Sequence, residues 1–429
     1  MGVAVERLTA TTHLWHPFSD MATVRDAEVV LERGEGVWVW DEEGRRYLDA
    51  TASLWYANVG HGRPEIADAI AAQMRKLETY SIFGDMANRP ALDLAERLAA
   101  VAPMEGARVF FTSGGGEAIE TAAKLSRLYW QARDQPERVH IVSRQNAYHG
   151  SHGFGTSLGG IDPNRAGFGP LVPETTQVPH DSVDALERTI GDLGAENVAA
   201  FFFEPVIGAG GVIPPEPGYV EAVTELCQAL GVVVVCDSVI CGFGRLGTWY
   251  GCERFGIEPD MITFAKGVTS GYLPLGGVVI SDKVAEPFWS TPGRVPFRHG
   301  PTYAGHAACC AAGLANLDIL EREGLIERGR ELESVLYDAV SPLADHALVA
   351  QVRGGCGLLA SIELAPDLLE RVAGAPWRAY VSVREAGVIV RPLVRSFAIS
   401  PPLTITREEI GVIADGIRSG LDALAESLS

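Results

Sequence analysis

The feature that most restricts the fold is a series of six short β-rich runs, residues 108–112, 139–143, 198–203, 232–236, 261–265 and 277–281, each nearly continuous in apolar residues. A strand with one wet face alternates apolar and polar residues, whereas a strand covered on both faces does not. The runs therefore predict a parallel or mostly parallel sheet buried between layers. Helical patterns stand between many of them, for example over residues 117–130 and 219–230. Strands alternating with helices predict an α/β architecture.

The two ends read differently. Residues 28–48 contain Val37-Trp38-Val39-Trp40, then Asp41-Glu42-Glu43-Gly44, then Tyr47-Leu48, the pattern of a small hairpin. Towards the other end, Thr406-Arg407-Glu408-Glu409 is a capping box, and Ile410, Ile413, Ile417, Leu421 and Leu424 follow at helical spacing. At 429 residues the chain exceeds what one compact core usually holds. The expected division is an N-terminal segment, 1–59, that joins a small domain; a large domain, 60–320; and a C-terminal small domain, 321–429.

Composition narrows the partners. With 55 acidic and 35 basic side chains the formal net charge is −20. Such a balance repels phosphate backbones and anionic bilayers, so no nucleic acid and no membrane surface is expected as partner. An anionic ligand then needs a local positive site. Glu6 and Arg7 fall where a signal peptide would need its apolar core. The most apolar short stretch, 230–236, ends at Asp237 and is too short to span a bilayer. The seven cysteines are scattered without a C-x-x-C pair, which argues against zinc and against a disulfide framework. A cytoplasmic location and no metal are expected. Cys309 and Cys310, in an Ala-rich stretch, read as small buried apolar groups.

Four features carry chemistry, and each alone also has an ordinary structural reading. Phe110-Phe111-Thr112-Ser113-Gly114-Gly115-Gly116-Glu117 is a strand, three glycines and a helix start. It is either a tight turn or a place where backbone amides approach a phosphate. Asp237 ends the four-valine strand, at the edge where open α/β sheets bind ligands, and either caps the next turn or holds a cationic ring nitrogen. Lys266 follows the apolar run Met261-Ile262-Thr263-Phe264-Ala265, 29 positions after Asp237. Such a lysine either snorkels to the surface or is desolvated into a nucleophilic amine. Tyr148-His149-Gly150 places an aromatic after the 139–143 run, a flat face for a planar ligand. Phosphate grip, aromatic plate, acidic partner and amine are the parts that a pyridoxal-phosphate (PLP) site requires.

The residues resemble the class III, or ω-, aminotransferases of the fold-type I PLP superfamily, and the resemblance covers nearly the whole chain. Asp237-Ser238-Val239-Ile240-Cys241-Gly242-Phe243-Gly244-Arg245-Leu246-Gly247 is similar to the family's D-E-V-x-x-G-F-G-R-T-G, and Ala265–Gly276 to its lysine loop. Leu54–Gly62 and Leu14-Trp15-His16-Pro17-Phe18 resemble the subgroup that pairs amines or ω-amino acids with pyruvate. The resemblance implies a large PLP domain with a mostly parallel sheet and a smaller α/β domain from both termini.

It also implies residue roles. Lys266 is the Schiff-base lysine and Asp237 the pyridinium partner. Tyr148 stacks on one ring face and Val239 packs on the other, with His149 beside them. Gly115 and Gly116 offer amides to the phosphate. Thr302, in His299-Gly300-Pro301-Thr302, reaches the phosphate of the neighbouring subunit, which implies a homodimer, or a dimer of dimers, with active sites at the interface. Trp55 and Tyr148 line the substrate pocket, Arg391 grips a substrate carboxylate or swings aside, and Glu204 can pair with that arginine. Arg395, four positions on, is the competitor for the carboxylate.

The sequence departs from the family at Ser238, usually Glu, and at Gly114-Gly115-Gly116, usually S-G-S. The second change removes two hydroxyl donors and predicts a weaker phosphate grip. A serine at position 116 would tighten it, unless that glycine has φ > 0. The expected reaction is a two-stage amino transfer from an amine to a keto acid such as pyruvate. An aminomutase, a decarboxylating transaminase or a non-catalytic PLP-binding protein are the alternatives.

Overall fold

The computed structural model describes residues 12–25, 27–290 and 295–429; Glu6 and Arg7 lie outside them. The six apolar runs and a further strand absent from the sequence reading, Thr175–Val178, form one seven-stranded sheet. Its strands are β1 (Arg108–Thr112), β2 (His140–Arg144), β3 (Thr175–Val178), β4 (Val198–Phe203), β5 (Val233–Asp237), β6 (Met261–Phe264) and β7 (Gly276–Ile280), in the order β1-β7-β6-β5-β4-β2-β3. Every residue of β2, β4, β5, β6 and β7 is buried, as strands covered on both faces must be.

The sheet is parallel except at β7, which pairs antiparallel with both β1 and β6. Strand direction leaves no mark on apolar content, because either direction buries the same side chains. β7 opens on two glycines for a packing reason: a Cβ on Gly277 would come within 2.5 Å of the Phe110 carbonyl and 2.6 Å of the Phe264 ring. Strand ends shift by one residue from the sequence reading at β2, β5, β6 and β7. The shift at β5 makes Asp237 the last residue of the strand.

The N-terminal hairpin carries a third strand. Leu31–Glu35, Trp38–Asp41 and Arg46–Asp49 run antiparallel in succession, and Val388–Ile389 adds to them in parallel, with Val388 opposite Leu48. A further antiparallel sheet joins Val349–Arg353, Ala360–Leu364, Ser396–Ile399 and Arg391–Pro392. The last helix, Arg407–Leu428, starts on the expected capping box, and Ile410, Ile413, Ile417, Leu421 and Leu424 are its buried face with two glycines. Trp38 Nε1 donates to Glu409 Oε1 at 2.9 Å, tying the N-terminal strands to that helix.

Arg245 fastens the same regions from within. Fully buried, it donates to Asn58 Oδ1 (2.9 Å), Leu358 O (2.9 Å) and Pro401 O (2.7 Å), which lie on three distant stretches of chain. Burial pulls its pKa down to about 10 against the attraction of Asp49. Cys309 and Cys310 are buried in helix Ala307–Arg322, and none of the seven cysteines is in a disulfide. Among the described residues no helix is long and apolar enough to cross a membrane.

Candidate active site

The carboxyl ends of β1, β2, β4, β5 and β6 open onto one cavity of about 650 Å³. Sheet edges of this kind collect ligand sites because loops from several strands converge there. At the end of β1, Gly114 is extended and precedes helix Gly115–Ala132. The first helical amide to find an acceptor is that of Ala118, on Gly114 O at 3.1 Å. The amides of Gly115, Gly116 and Glu117 therefore face outward from the helix start, a ready anion seat. Both glycines of that turn lie under other side chains: a Cβ on Gly115 would meet Val239 Cγ1 at 2.9 Å, and one on Gly116 would meet His152 Cε1 at 2.7 Å.

Asp237, at the end of β5, is buried. Its Oδ1 accepts from the Val239 amide (3.1 Å) and the Thr263 hydroxyl (3.2 Å). Its Oδ2 accepts from His149 Nδ1 at 2.7 Å. A carboxylate only accepts, so that nitrogen carries the proton; His149 Nε2 is buried with no partner among the described residues. The carboxylate is thereby aimed and charge-stabilised within the cavity wall.

Lys266 lies just beyond the end of β6, as the first residue of the single turn Lys266–Val268, with φ +45°. No hydrogen bond or ion pair engages its amine among the described residues. Burial lowers its pKa, opposed by the Asp237 and Glu204 carboxylates, so the amine is driven towards the neutral, nucleophilic form. Tyr148 lines the wall, and burial raises the pKa of its phenol against the pull of Arg391. Trp55, buried with φ +66°, lines the cavity as well.

Arg391 also lines the cavity, and no hydrogen bond or ion pair holds its guanidinium among the described residues. Burial lowers its pKa, and Tyr148 and Tyr380 oppose that. Arg395 is exposed and pairs with Glu363 at 3.3 Å, outside the cavity lining. The expected Glu204–Arg391 pair is not present. Glu204 spends both oxygens on backbone amides, of Tyr148 (3.0 Å) and Gly208 (2.9 Å). Burial raises its pKa; His149 lowers it and Asp237 raises it further. The two amides satisfy a carboxylate that the sequence assigned to the arginine.

Gly115, Gly116, Tyr148, His149, Asp237, Val239, Lys266, Trp55, Glu204 and Arg391 thus border one cavity, while Thr302 is exposed and does not line it. Sequence reasoning missed several wall residues. Phe18 stands edge-on to Tyr148 at 6.3 Å, Trp377, Leu54 and Ile161 complete the apolar side, and His152 borders the helix start. A tryptophan in helix Ala375–Glu385 reads as core in any sequence, so nothing marked it. His152 was marked, in retrospect, by lying four residues after Tyr148 in a chain whose phosphate loop lacks side chains.

Outward amides over bare glycines, a fixed carboxylate and a half-buried amine unpaired among the described residues fit a phosphorylated aromatic aldehyde. The profile of the family described as Aminotransferase class-III matches residues 21–421, and the chain belongs to that family. It is 37% identical to a putrescine–pyruvate aminotransferase of Pseudomonas aeruginosa, over 97% of this chain and 95% of that one. A thermostable (S)-enantioselective ω-transaminase from Thermomicrobium roseum superposes with a TM-score of 0.92 at 40% identity, covering 96% of each chain. An amine transaminase from an uncultivated Pseudomonas species, in its PLP-bound form, gives 0.91 at 37% identity, covering 96% of this chain and 99% of that one. The fold is that of the fold-type I PLP transaminases, and the protein is a PLP-dependent enzyme that transfers an amino group to a keto acid.

Proposed function

We propose that the donor is a carboxylate-free amine or an ω-amino acid, that pyruvate is the acceptor, and that Lys266 and Asp237 carry the chemistry. The observation that carries the donor reading is the cavity wall. Trp55, Leu54, Phe18, Ile161 and Trp377 offer an apolar face, while the two carboxylates are already engaged by neighbours. A donor with a second ammonium group meets no free anion there; an apolar amine is desolvated at little cost.

Bound PLP supplies an electron sink for the carbon that bears the amino group. Lys266 would hold the cofactor through its amine, and its Nζ would be the group that takes the proton from that carbon. Asp237, steadied by His149 and Thr263, holds a proton on the ring nitrogen. Val239 and Tyr148 would hold the cofactor ring between them, and the helix-start amides of Gly115 and Gly116 would hold its phosphate. Arg391 closes on the keto acid's carboxylate, matching its two oxygens with two parallel N–H groups. Glu204 tethers the Tyr148 backbone rather than the arginine.

We further propose a division into 1–59 with 321–429 as the small domain and 60–320 as the large one. Strand Val388–Ile389 beside Arg46–Asp49 supports it. A cytoplasmic homodimer completes the reading, with Thr302 serving the partner's site. The test is a panel of donors with pyruvate. Apolar primary amines should outpace diamines of similar length, and equal or faster turnover of diamines would refute the donor reading.

A further inference from the structure

The glycine triplet of the phosphate loop is not merely a loss. Gly150 has φ +96°, and a Cβ there would lie 2.9 Å from Gly116 Cα, so residues 148–152 press their backbone onto the helix start. That close approach delivers His152. Its imidazole occupies the volume a side chain at Gly116 would fill: the ring atoms Nδ1 and Cε1 are the nearest neighbours of a Cβ built there. It borders the same cavity as Lys266 and Asp237. No hydrogen bond or ion pair occupies either ring nitrogen among the described residues. Gly114 differs, since a Cβ there would meet nothing within 4 Å.

We infer that His152 is a phosphate ligand of the cofactor, a ring N–H donating to a phosphate oxygen in place of a hydroxyl side chain at position 116. The inference rests on PLP occupying this cavity with its phosphate at the Gly115–Gly116 amides. An imidazole is a reasonable substitute because it offers an N–H donor, and a positive charge when protonated, to a dianion in a chain of net charge −20. It also reverses the expectation for Gly116. The obstacle to serine there is the His152 ring, not a left-handed backbone, because Gly116 does not have φ > 0.

The experiment titrates the full-length apoprotein with PLP, with pyridoxal and with inorganic phosphate, reading absorbance and intrinsic fluorescence. His152→Ala should weaken PLP and phosphate about tenfold, the scale of one charge-assisted hydrogen bond, and leave pyridoxal unchanged. His152→Gln, which keeps a donor, should recover part of the loss. Gly116→Ser alone should weaken PLP by colliding with the imidazole, whereas Gly116→Ser with His152→Ala should restore it. Unchanged PLP and phosphate affinity in His152→Ala, or an equal loss for pyridoxal, would overturn the inference. In either case PLP still captured on Lys266 would leave the cofactor site standing, and failure of the parent protein to bind PLP would remove the site itself.

Discussion

Arg391 and Glu204 border one cavity, yet their partners differ, and the difference decides what each can do. Glu204 has two backbone amides and no oxygen left over, so it acts on the position of Tyr148. Arg391 has an unpaired guanidinium in a largely desolvated wall, and that costs stability unless a ligand anion arrives. Arg395, held by Glu363 and exposed, is not placed to compete. Arg391→Ala should raise KM for pyruvate by about ten- to a hundredfold, the range for a charged hydrogen-bonded contact. The half-reaction with a carboxylate-free amine should be nearly intact. Arg391→Lys should recover only part, because a point charge cannot match two oxygens in parallel. Stopped-flow on each half-reaction separates the two; equal damage to both would make Arg391 a structural residue of the wall.

At the scale of elements, the segment Asp237–Gly247 shows two duties in one stretch. Its first residue faces the cavity, and Arg245, eight positions on, faces three strange carbonyl and amide oxygens of the chain ends. Replacing it with alanine strands those acceptors in a dry interior. Arg245→Ala should lower unfolding free energy by about 3 kcal/mol or more, read from urea denaturation, since each buried unsatisfied acceptor costs about 1–3 kcal/mol. A change below about 0.5 kcal/mol, the range of ordinary surface substitutions, would deny it that role. The same elements mark what a sequence discloses. The buried runs, the capping box at Thr406 and the Asp237–Lys266 pair were legible because apolar continuity, cap chemistry and strand-end carboxylates are local. The antiparallel β7, the amides that claim Glu204 and the seat of His152 were not, because each depends on which distant backbone passes alongside.

At the scale of the whole molecule, the proposed homodimer is tested through Thr302. Thr302 is exposed and off the cavity of its own chain, while His299 three residues earlier is fixed by Thr121 at 2.9 Å and stacked on Phe110. The proposed homodimer gives Thr302 a role only if the partner's site comes within its reach. Thr302→Ala should weaken PLP about fivefold, one lost hydrogen bond. Hybrid dimers of Thr302→Ala with Lys266→Ala subunits should regain parental affinity at half their sites, measured by PLP titration. Two weak sites, or a monomer in sedimentation, would count against the shared site. Above all, Lys266 alone should carry the cofactor and so the reaction. The most direct measurement is borohydride reduction of the holoenzyme followed by mass spectrometry of the intact chain and its peptides. One cofactor-derived mass increment per chain is expected, on the peptide containing Lys266, with neither increment nor amino transfer in Lys266→Ala. An increment on another lysine, or parental transfer rates in Lys266→Ala, would remove Lys266 from that role.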